Sequence, residues 1–548
     1  MNTNQMIPKK LIPFLPVISG LLLALSWPEN GFPVLLFLAF VPLLILEDLK
    51  RKDPGITRIS IYWMVFPAFF IWNALTTWWI YNSTLFGAAV AVLLNSFMQS
   101  LMFWLFYFTR KSMKRGDNGY IALVFFWIAF EFIHHHWDLN WPWMSLGNGF
   151  AAWPQWIQWY EYTGMFGGSL WILLVNILVY KSLVLTFAKG PKLLKSWILT
   201  CLIIVIPLAV SLVMYYTYHE KSNPVTVVSV QPNLDPYTEQ YELSSFDVIN
   251  KASELALQKM DALTDFVIFP ESMVQPNFVS NSRIWENDIL SHPTISQFKS
   301  NLLSRFPEAK IIAGYSTSRY YTQGEEIPFT ARPFSSGDEY YDNLNTAIYI
   351  TKNPEVQLYH KSKLTPGVEL MPFPWLLKPL GDIAIDLGGT TGQLGIDEER
   401  IPFNVNDSVK IAPVICYESV YGEFVNGFIK NGANAIFIIT NDGWWGNTAG
   451  HRQHMLFSVI RSIETRRSIA RSANTGISCF VNQRGDISQR TEYWEPAVIS
   501  SDINLNDKIT FYVRYGDYIA RGCTIGAVLL LIISLMLHFR PEISKRKL

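Results

Sequence analysis

The chain has 548 residues; half are hydrophobic, 15% are aromatic and only 16% are charged, with 44 Lys and Arg against 44 Asp and Glu. A soluble protein carries nearer a quarter charged residues, so this composition excludes a wholly soluble chain and places part of it in lipid. The zero net charge says little about partners, although no nucleic-acid partner is expected, and the four cysteines form no CxxC pattern and no disulfide framework.

From the N-terminus, seven apolar stretches approach the roughly 20 residues that a bilayer needs: approximately 11–27, 32–49, 59–80, 84–109, 120–137, 165–187 and 196–218. An eighth runs from about 518 to 539, and Cys201 and Cys523 lie inside such spans. The first is short and rich in proline but lacks a small-residue cleavage site, so it is read as retained. Basic residues cluster at alternate ends: Lys9 and Lys10; Lys50, Arg51, Lys52 and Arg58; Arg110, Lys111, Lys114 and Arg115; Lys189, Lys192 and Lys195; and Arg540, Lys545, Arg546 and Lys547. The intervening connections, 27–31, 81–83 and 138–163, hold no Lys or Arg. By the positive-inside rule both termini are cytoplasmic and residues 219–517 lie on the outer face. The expected organisation is a membrane domain over 1–218, an extracytoplasmic domain over 219–517, and a last span with a cytoplasmic tail over 518–548.

The 138–163 connection holds Trp141, Trp143, Trp153, Trp156 and Trp159 with almost no charge, as an interfacial aromatic belt would. Just before it, His134, His135 and His136 stand near Asp138. Three consecutive imidazoles on a helix point in three directions, so they are expected as interfacial polar groups and no metal site is predicted.

From Pro224 the pattern changes to short strands alternating with helices. Strands are expected over 225–230, 265–271, 310–315, 345–350, 357–361, 411–415, 435–440, 476–481 and 498–503, the last at a sheet edge. The fifth should pair with the fourth across the Asn353-Pro354 turn. Helices are expected over about 244–263, 294–305, 421–430 and 451–472. This alternation over about 290 residues argues an α/β domain with a layered sheet core.

Three polar residues stand at or just past strand ends: Glu271, Lys361 and Cys416. Singly, each has an ordinary reading: a helix cap, a solvated edge charge, a buried core cysteine. Together they are what acyl transfer needs. A carboxylate serves as general base, a cation stabilises an oxyanion beside a backbone N–H, and a thiolate carries the acyl group. No histidine holds an equivalent place, since strand alternation turns His360 away from Lys361, so a papain-type Cys/His pair is disfavoured. Lys363 projects from the same face as Lys361 and is its rival. Cys479 lies in an apolar strand and should be a buried thiol; a disulfide to Cys416 stays open in an oxidising compartment.

Phe-Pro-Glu at Glu271, Tyr-His-Lys at Lys361 and Ile-Cys-Tyr-Glu at Cys416 resemble the Glu-Lys-Cys triad of the nitrilase (carbon-nitrogen hydrolase) superfamily. With seven spans before the outer domain and one after, the whole chain resembles the apolipoprotein N-acyltransferase family. The motifs beginning at Trp141, Tyr162, Thr440, Gln453 and Arg471 are similar to that family's. The resemblance implies an αββα nitrilase-like sandwich beside a polytopic α-helical membrane domain of about eight spans, with no cofactor. Glu271 matches the base, Lys361 the oxyanion-stabilising lysine and Cys416 the nucleophile. Glu418 matches a further essential acid, Tyr417 an active-site aromatic, and Glu369 a second glutamate that orients the lysine. At Glu369 the family's usual Pro-Phe-Gly-Glu is replaced by Pro366-Gly-Val-Glu369. The implied reaction moves an acyl chain from a phospholipid, typically phosphatidylethanolamine, through a Cys416 thioester to the amine of a diacylglyceryl-cysteine apolipoprotein at the bacterial inner membrane. Trp444 and Trp445 either line the acyl entry or pack beside the sheet.

Two other functional classes stand beside this reading. In a membrane-tethered amidase or nitrilase, water would resolve the thioester, but a tether needs only one span. A transporter predicts ionisable residues within spans, of which Glu131 is the best case and Glu47 and Asp48 lie at a span end. Arg452, Arg461, Arg466, Arg467 and Arg471 are read as a solvated helix face or as ion pairs to Glu464, with a phosphate-headgroup site as the alternative.

Overall fold

The structure is a computed structural model that describes residues 7–53, 57–113, 119–276, 283–335, 337–374 and 392–539. Of the basic residues that argue orientation, Lys114, Arg115, Arg540, Lys545, Arg546 and Lys547 lie outside them. The chain divides into two units: Met1–Trp78, Ala88–Val213 and Asp517–Leu548 form one, Trp79–Gly87 and Met214–Gly516 the other.

The first unit is helical. Five helices are long and apolar enough to cross a membrane: Ile59–Asn82, Leu85–Met113, Met165–Phe187, Leu193–Thr217 and Tyr518–Phe539. A sixth expected span appears as the shorter apolar helix Ile121–Ile133. The two N-terminal stretches form the 11-residue helices Leu15–Leu25 and Val41–Arg51, each entered through a 3-10 turn. Proline at the first turn of each helix and within or at the start of each 3-10 turn explains the interruption, because the ring removes an N–H and fixes φ. His134 and His135 are buried within the protein: His134 Nε2 lies 2.6 Å from Asn95 Oδ1, and His135 packs on Phe166.

The second unit holds thirteen described strands in two sheets. In chain order they are β1 (Pro224–Gln231), β2 (Thr264–Ile268), β3 (Lys310–Tyr321), β4 (Arg332–Pro333), β5 (Tyr340–Ile350), β6 (Val356–His360), β7 (Phe403–Asn404), β8 (Lys410–Ile415), β9 (Ala435–Thr440), β10 (Ile469–Ala473), β11 (Cys479–Val481), β12 (Ile487–Ser488) and β13 (Ala497–Asn504). One sheet has the order β13-β1-β2-β3-β5-β4 with β6 also on β5; the other runs β12-β11-β10-β9-β8-β7. As expected, β13 is an edge strand and β6 pairs with β5.

The sheets pack face to face: Phe266 of β2 meets Phe437 of β9 with ring centroids 5.2 Å apart, and Ser229 and Ser472 donate to backbone carbonyls across the gap. Helices Ser245–Leu257 and Pro293–Phe298 cover the outer face of the first sheet through Val248, Ile249, Ala252, Ile295 and Phe298. Helices Gly422–Lys430 and Ala449–Thr465 pack beside the second. The result is the αββα sandwich. Its parallel strands β1–β3 and β8–β10 are apolar runs buried on both sides, and their C-terminal ends collect at one rim.

The expected helix over 451–472 is overturned. It stops at Thr465, Arg466 turns left-handed with φ 51°, and Ile469–Ala473 becomes a strand parallel to β9. A left-handed residue ends a helix, and the chain beyond it is free to pair elsewhere. The expected strand 476–481 is correspondingly shorter.

Candidate active site

Four strand ends build the site. β2 delivers Phe269, Pro270 and Glu271; β6 delivers Lys361; β8 delivers Cys416; β9 delivers Asn441 and Asp442. The strand carrying Gly314 runs so close to the Glu271 turn that Gly314 N–H donates to Pro270 O at 3.2 Å and Gly314 O accepts from Val274 N–H at 3.1 Å. Lys361 is pinned by its own N–H, which donates to Asn345 O on β5 at 2.8 Å.

Lys361 Nζ bridges two carboxylates, 2.9 Å from Glu271 Oε1 and 2.8 Å from Glu369 Oε1. Asn345 Nδ2 donates to the same two oxygens at 2.8 and 3.2 Å. The remaining oxygens are also held: Glu271 Oε2 accepts from Asn441 N–H at 3.0 Å, and Glu369 Oε2 from Thr365 N–H at 2.9 Å. Lys361 and Glu271 are almost wholly buried. Burial works against the lysine's charge, but the two carboxylates outweigh it and hold its pKa well above the ordinary lysine range. The ammonium in turn holds the buried Glu369 below the usual carboxylate range. The 366–369 turn therefore brings Glu369 onto Lys361 although it departs from the usual motif. Lys363 points elsewhere, its ammonium 5.0 Å from the centre of the Tyr421 ring.

Cys416 is 8% exposed and begins the 3-10 turn Cys416–Val420 in a left-handed conformation, φ 51°. A non-glycine residue there costs about 1–3 kcal/mol and persists only where its surroundings over-determine it. Such a bend lifts a nucleophile off a strand end, as in other strand-to-helix elbows. Burial raises the thiol's pKa, the Glu271 carboxylate adds to the rise, and Lys361 opposes it; the net position is well above the ordinary thiol value. The group thus rests as a thiol, which would need a base to act as a nucleophile. Cys416 and Cys479 are both free.

Glu418 is fully buried and straps the two active strand ends together. Its Oε2 accepts from Ile415 N–H at 2.8 Å, and its Oε1 from Ser362 N–H and the Tyr359 hydroxyl, both at 2.7 Å. Burial pushes its pKa up to about 7 in spite of those donors. Tyr417 is buried against Tyr421, with ring centroids 5.3 Å apart. Trp444 and Trp445 are half-buried. Trp444 meets the Tyr237 ring edge-on at 5.1 Å, and Trp445 lies between Trp79 at 4.9 Å and His454 at 5.6 Å.

The sequence reading placed His454 in a family-like motif but gave it no role at the site. Cys416 Sγ, a His454 ring nitrogen and an Asp442 oxygen lie within 4.8 Å of one another. The histidine and the aspartate each have further partners in the fold. His454 Nδ1 is on Asp442 Oδ1 at 2.9 Å, His454 Nε2 is on the Cys416 carbonyl at 3.1 Å, and Asp442 also accepts from Thr440 and Arg471. His360 faces away as expected, onto Glu286 and Asp397. Asn441 and Asp442 stood in the motif beginning at Thr440 without a role, and Asn345 was missed; the available signal was a polar residue within or directly after a buried strand. The arginine reading is corrected as well. Arg461, Arg466, Arg467 and Arg471 are at most 1% exposed, so they form neither a solvated face nor an open headgroup site. Arg461 does pair with Glu464 at 2.8 Å, and Arg466 and Arg467 donate to backbone carbonyls at loop ends.

Two family models match the chain: the apolipoprotein N-acyltransferase N-terminal domain over residues 19–178 and carbon-nitrogen hydrolase over residues 226–510. The chain is 29% identical over 541 residues to the apolipoprotein N-acyltransferase of Chlorobaculum tepidum, covering 95% of this chain and 96% of the relative. It is 25% identical over 543 residues to that of Geobacter metallireducens, covering 93% of each. Among solved structures it is similar to an amidase from Nesterenkonia sp., at 13% identity and a TM-score of 0.36, over 55% of this chain and 97% of the amidase.

Proposed function

The chain belongs to the carbon-nitrogen hydrolase family, as an enzyme of the apolipoprotein N-acyltransferase type, and on that premise we propose that it completes bacterial lipoproteins by moving an acyl chain from a phospholipid, phosphatidylethanolamine above all, to their N-terminal amine through a thioester on Cys416. The observation that carries this reading is one buried ammonium, Lys361, held between Glu271 and Glu369 beside a cysteine bent into a left-handed elbow.

In the first half-reaction the Cys416 thiol gives its proton to Glu271 as sulfur attacks the ester carbonyl carbon. Lys361 and the backbone N–H after the nucleophile stabilise the tetrahedral oxyanion. The carbon–oxygen bond to glycerol then breaks, and Glu271 returns the proton to the departing lysophospholipid hydroxyl, leaving the thioester. In the second half-reaction the neutral α-amine of a diacylglyceryl-cysteine apolipoprotein attacks the thioester carbon and passes a proton to Glu271. The amide forms, the sulfur leaves, and that proton restores the thiol. One base thus serves both nucleophiles. Glu369 orients Lys361, Glu418 and Tyr417 hold the elbow, and Trp444 and Trp445 line the acyl entry.

Both substrates are lipids, which supports a multi-pass protein of about eight spans in the inner membrane. Its domains are 1–218, 219–517 and 518–548, with both termini cytoplasmic and the catalytic domain periplasmic. The test is the intact mass of the detergent-purified protein after incubation with phosphatidylethanolamine, beside Cys416→Ala. A single acyl-sized gain on the unaltered chain only, released by a diacylglyceryl-cysteine peptide and slowly by water, is expected. Rapid discharge by water makes the protein a hydrolase, and no gain on folded, reduced protein removes Cys416 as acyl carrier.

A further inference from the structure

The carbonyl oxygen of Cys416 is gripped by a side-chain network that the proton transfers above do not use. Ser419 Oγ donates to it at 2.7 Å, and His454 Nε2 lies 3.1 Å from it and 3.0 Å from Ser419 Oγ. On the other side of the ring, His454 Nδ1 lies 2.9 Å from Asp442 Oδ1. Asp442 is fixed by the Thr440 hydroxyl at 2.8 Å and by the Arg471 guanidinium. Thr440, Asp442, His454, Arg471 and Ser419 are all fully buried, and Trp445 packs against the imidazole. Asp442 lies close over Gly476, where an added Cβ would stand 2.8 Å from its Oδ2.

A peptide unit is planar and trans, so its C=O and N–H point in opposite directions. Fixing the Cys416 carbonyl therefore fixes the direction of the Tyr417 N–H, and the Ser419 hydroxyl that donates to that carbonyl polarises the same peptide and strengthens its N–H. Restraint is needed here because Cys416 is left-handed, a conformation that a non-glycine residue seldom adopts. We propose that His454, oriented by Asp442 and Arg471 and packed against Ser419 Oγ and the Cys416 carbonyl, is a positioning residue that aims the Tyr417 N–H at the oxyanion of the tetrahedral intermediate. This rests on the reading of Cys416 as the acyl carrier.

Two reactions at Cys416 separate that role from thiol activation and from plain packing. Acylation by phosphatidylethanolamine passes through an oxyanion; alkylation by iodoacetamide forms a sulfur–carbon bond, expels iodide and forms none. Both are followed by intact mass on the detergent-purified full chain. His454→Gln is expected to acylate about 10- to 100-fold more slowly while its alkylation stays within about 3-fold of the unaltered chain. Ser419→Ala, which removes the hydroxyl that donates to the same oxygen and leaves Asp442 and Arg471 untouched, gives the same split with a smaller loss and carries the test if His454→Gln does not fold. Equal slowing of both reactions, or of neither, overturns the proposal. An unaltered chain that is alkylated but gains no acyl mass overturns the acyl-carrier reading, and this proposal with it.

Discussion

Gly314→Ala places one methyl group where three backbone atoms already stand. A Cβ at this position of β3 would lie 2.5 Å from Pro270 O, 2.5 Å from Ser272 N and 2.6 Å from the Glu271 Cα. Comfortable contact needs about 3.5 Å or more, so the Glu271 turn and β3 must separate by on the order of 1 Å. None of the three atoms ends a flexible side chain that can swing aside. The turn is also tied to β3 by the 3.2 Å bond from Gly314 N–H to Pro270 O, so the displacement falls on Glu271. A misplacement of about 1 Å in a catalytic group costs on the order of 100-fold in rate, and overpacking costs about 1–3 kcal/mol of stability. The expected variant is folded, melts a few degrees lower, and forms the Cys416 thioester roughly 100-fold more slowly by intact-mass time course. A folded Gly314→Ala protein that acylates at the unaltered rate would refute the reasoning, because Glu271 would then have moved without consequence.

Three further outcomes follow from the same geometry. Lys361→Met leaves Glu271 and Glu369 buried without their countercharge; a loss of about 3–5 kcal/mol in thermal or denaturant unfolding is expected, together with loss of thioester formation. Glu271→Gln removes a charge that raises the Cys416 pKa while leaving Lys361, which lowers it. Its Cys416 should therefore alkylate with iodoacetamide faster at neutral pH even as acyl transfer falls by about 100-fold or more, and the two rates are measured on one preparation. Glu418, raised from 4.5 to about 7, holds its proton more tightly folded than unfolded. Its stabilising contribution is full below about pH 4.5 and is lost as pH rises through about 7, an effect on the order of 3 kcal/mol. Melting curves from pH 4.5 to 7.5 should show this fall for the unaltered chain and a flatter profile for Glu418→Gln.

The parts of the molecule legible in the sequence are those whose signal is local. The runs 411–415 and 435–440 announce buried strands by apolar continuity alone, and the residue after each run is then at a strand end whatever the sheet order. That logic finds Glu271, Lys361 and Cys416 together. It also finds the long apolar helices, but it over-reads the two N-terminal stretches, where prolines divide the apolar run into short helices and 3-10 turns.

What only the tertiary structure decided depends on partners far along the chain. Asn441 reaches Glu271 across 170 residues and Asn345 reaches it across 74, so although Asn441 stands at a strand end, nothing local tells which carboxylate either residue will hold. The segment 466–473 carries enough charge to look like a helix's outer face, yet the left-handed turn at Arg466 sends it into the sheet beside β9. Its arginines are then buried because carbonyls and carboxylates from distant loops satisfy them. His454 shows the same limit: as the sixth residue of its helix it is one more polar side chain, and only the packing of that helix against the turn after β8 brings its ring to the Cys416 carbonyl. Sequence alone determined which chemistry the strand ends carry, because hydrophobic periodicity is written residue by residue. The fold decided how that chemistry is held, because hydrogen-bond partners are chosen by proximity in space.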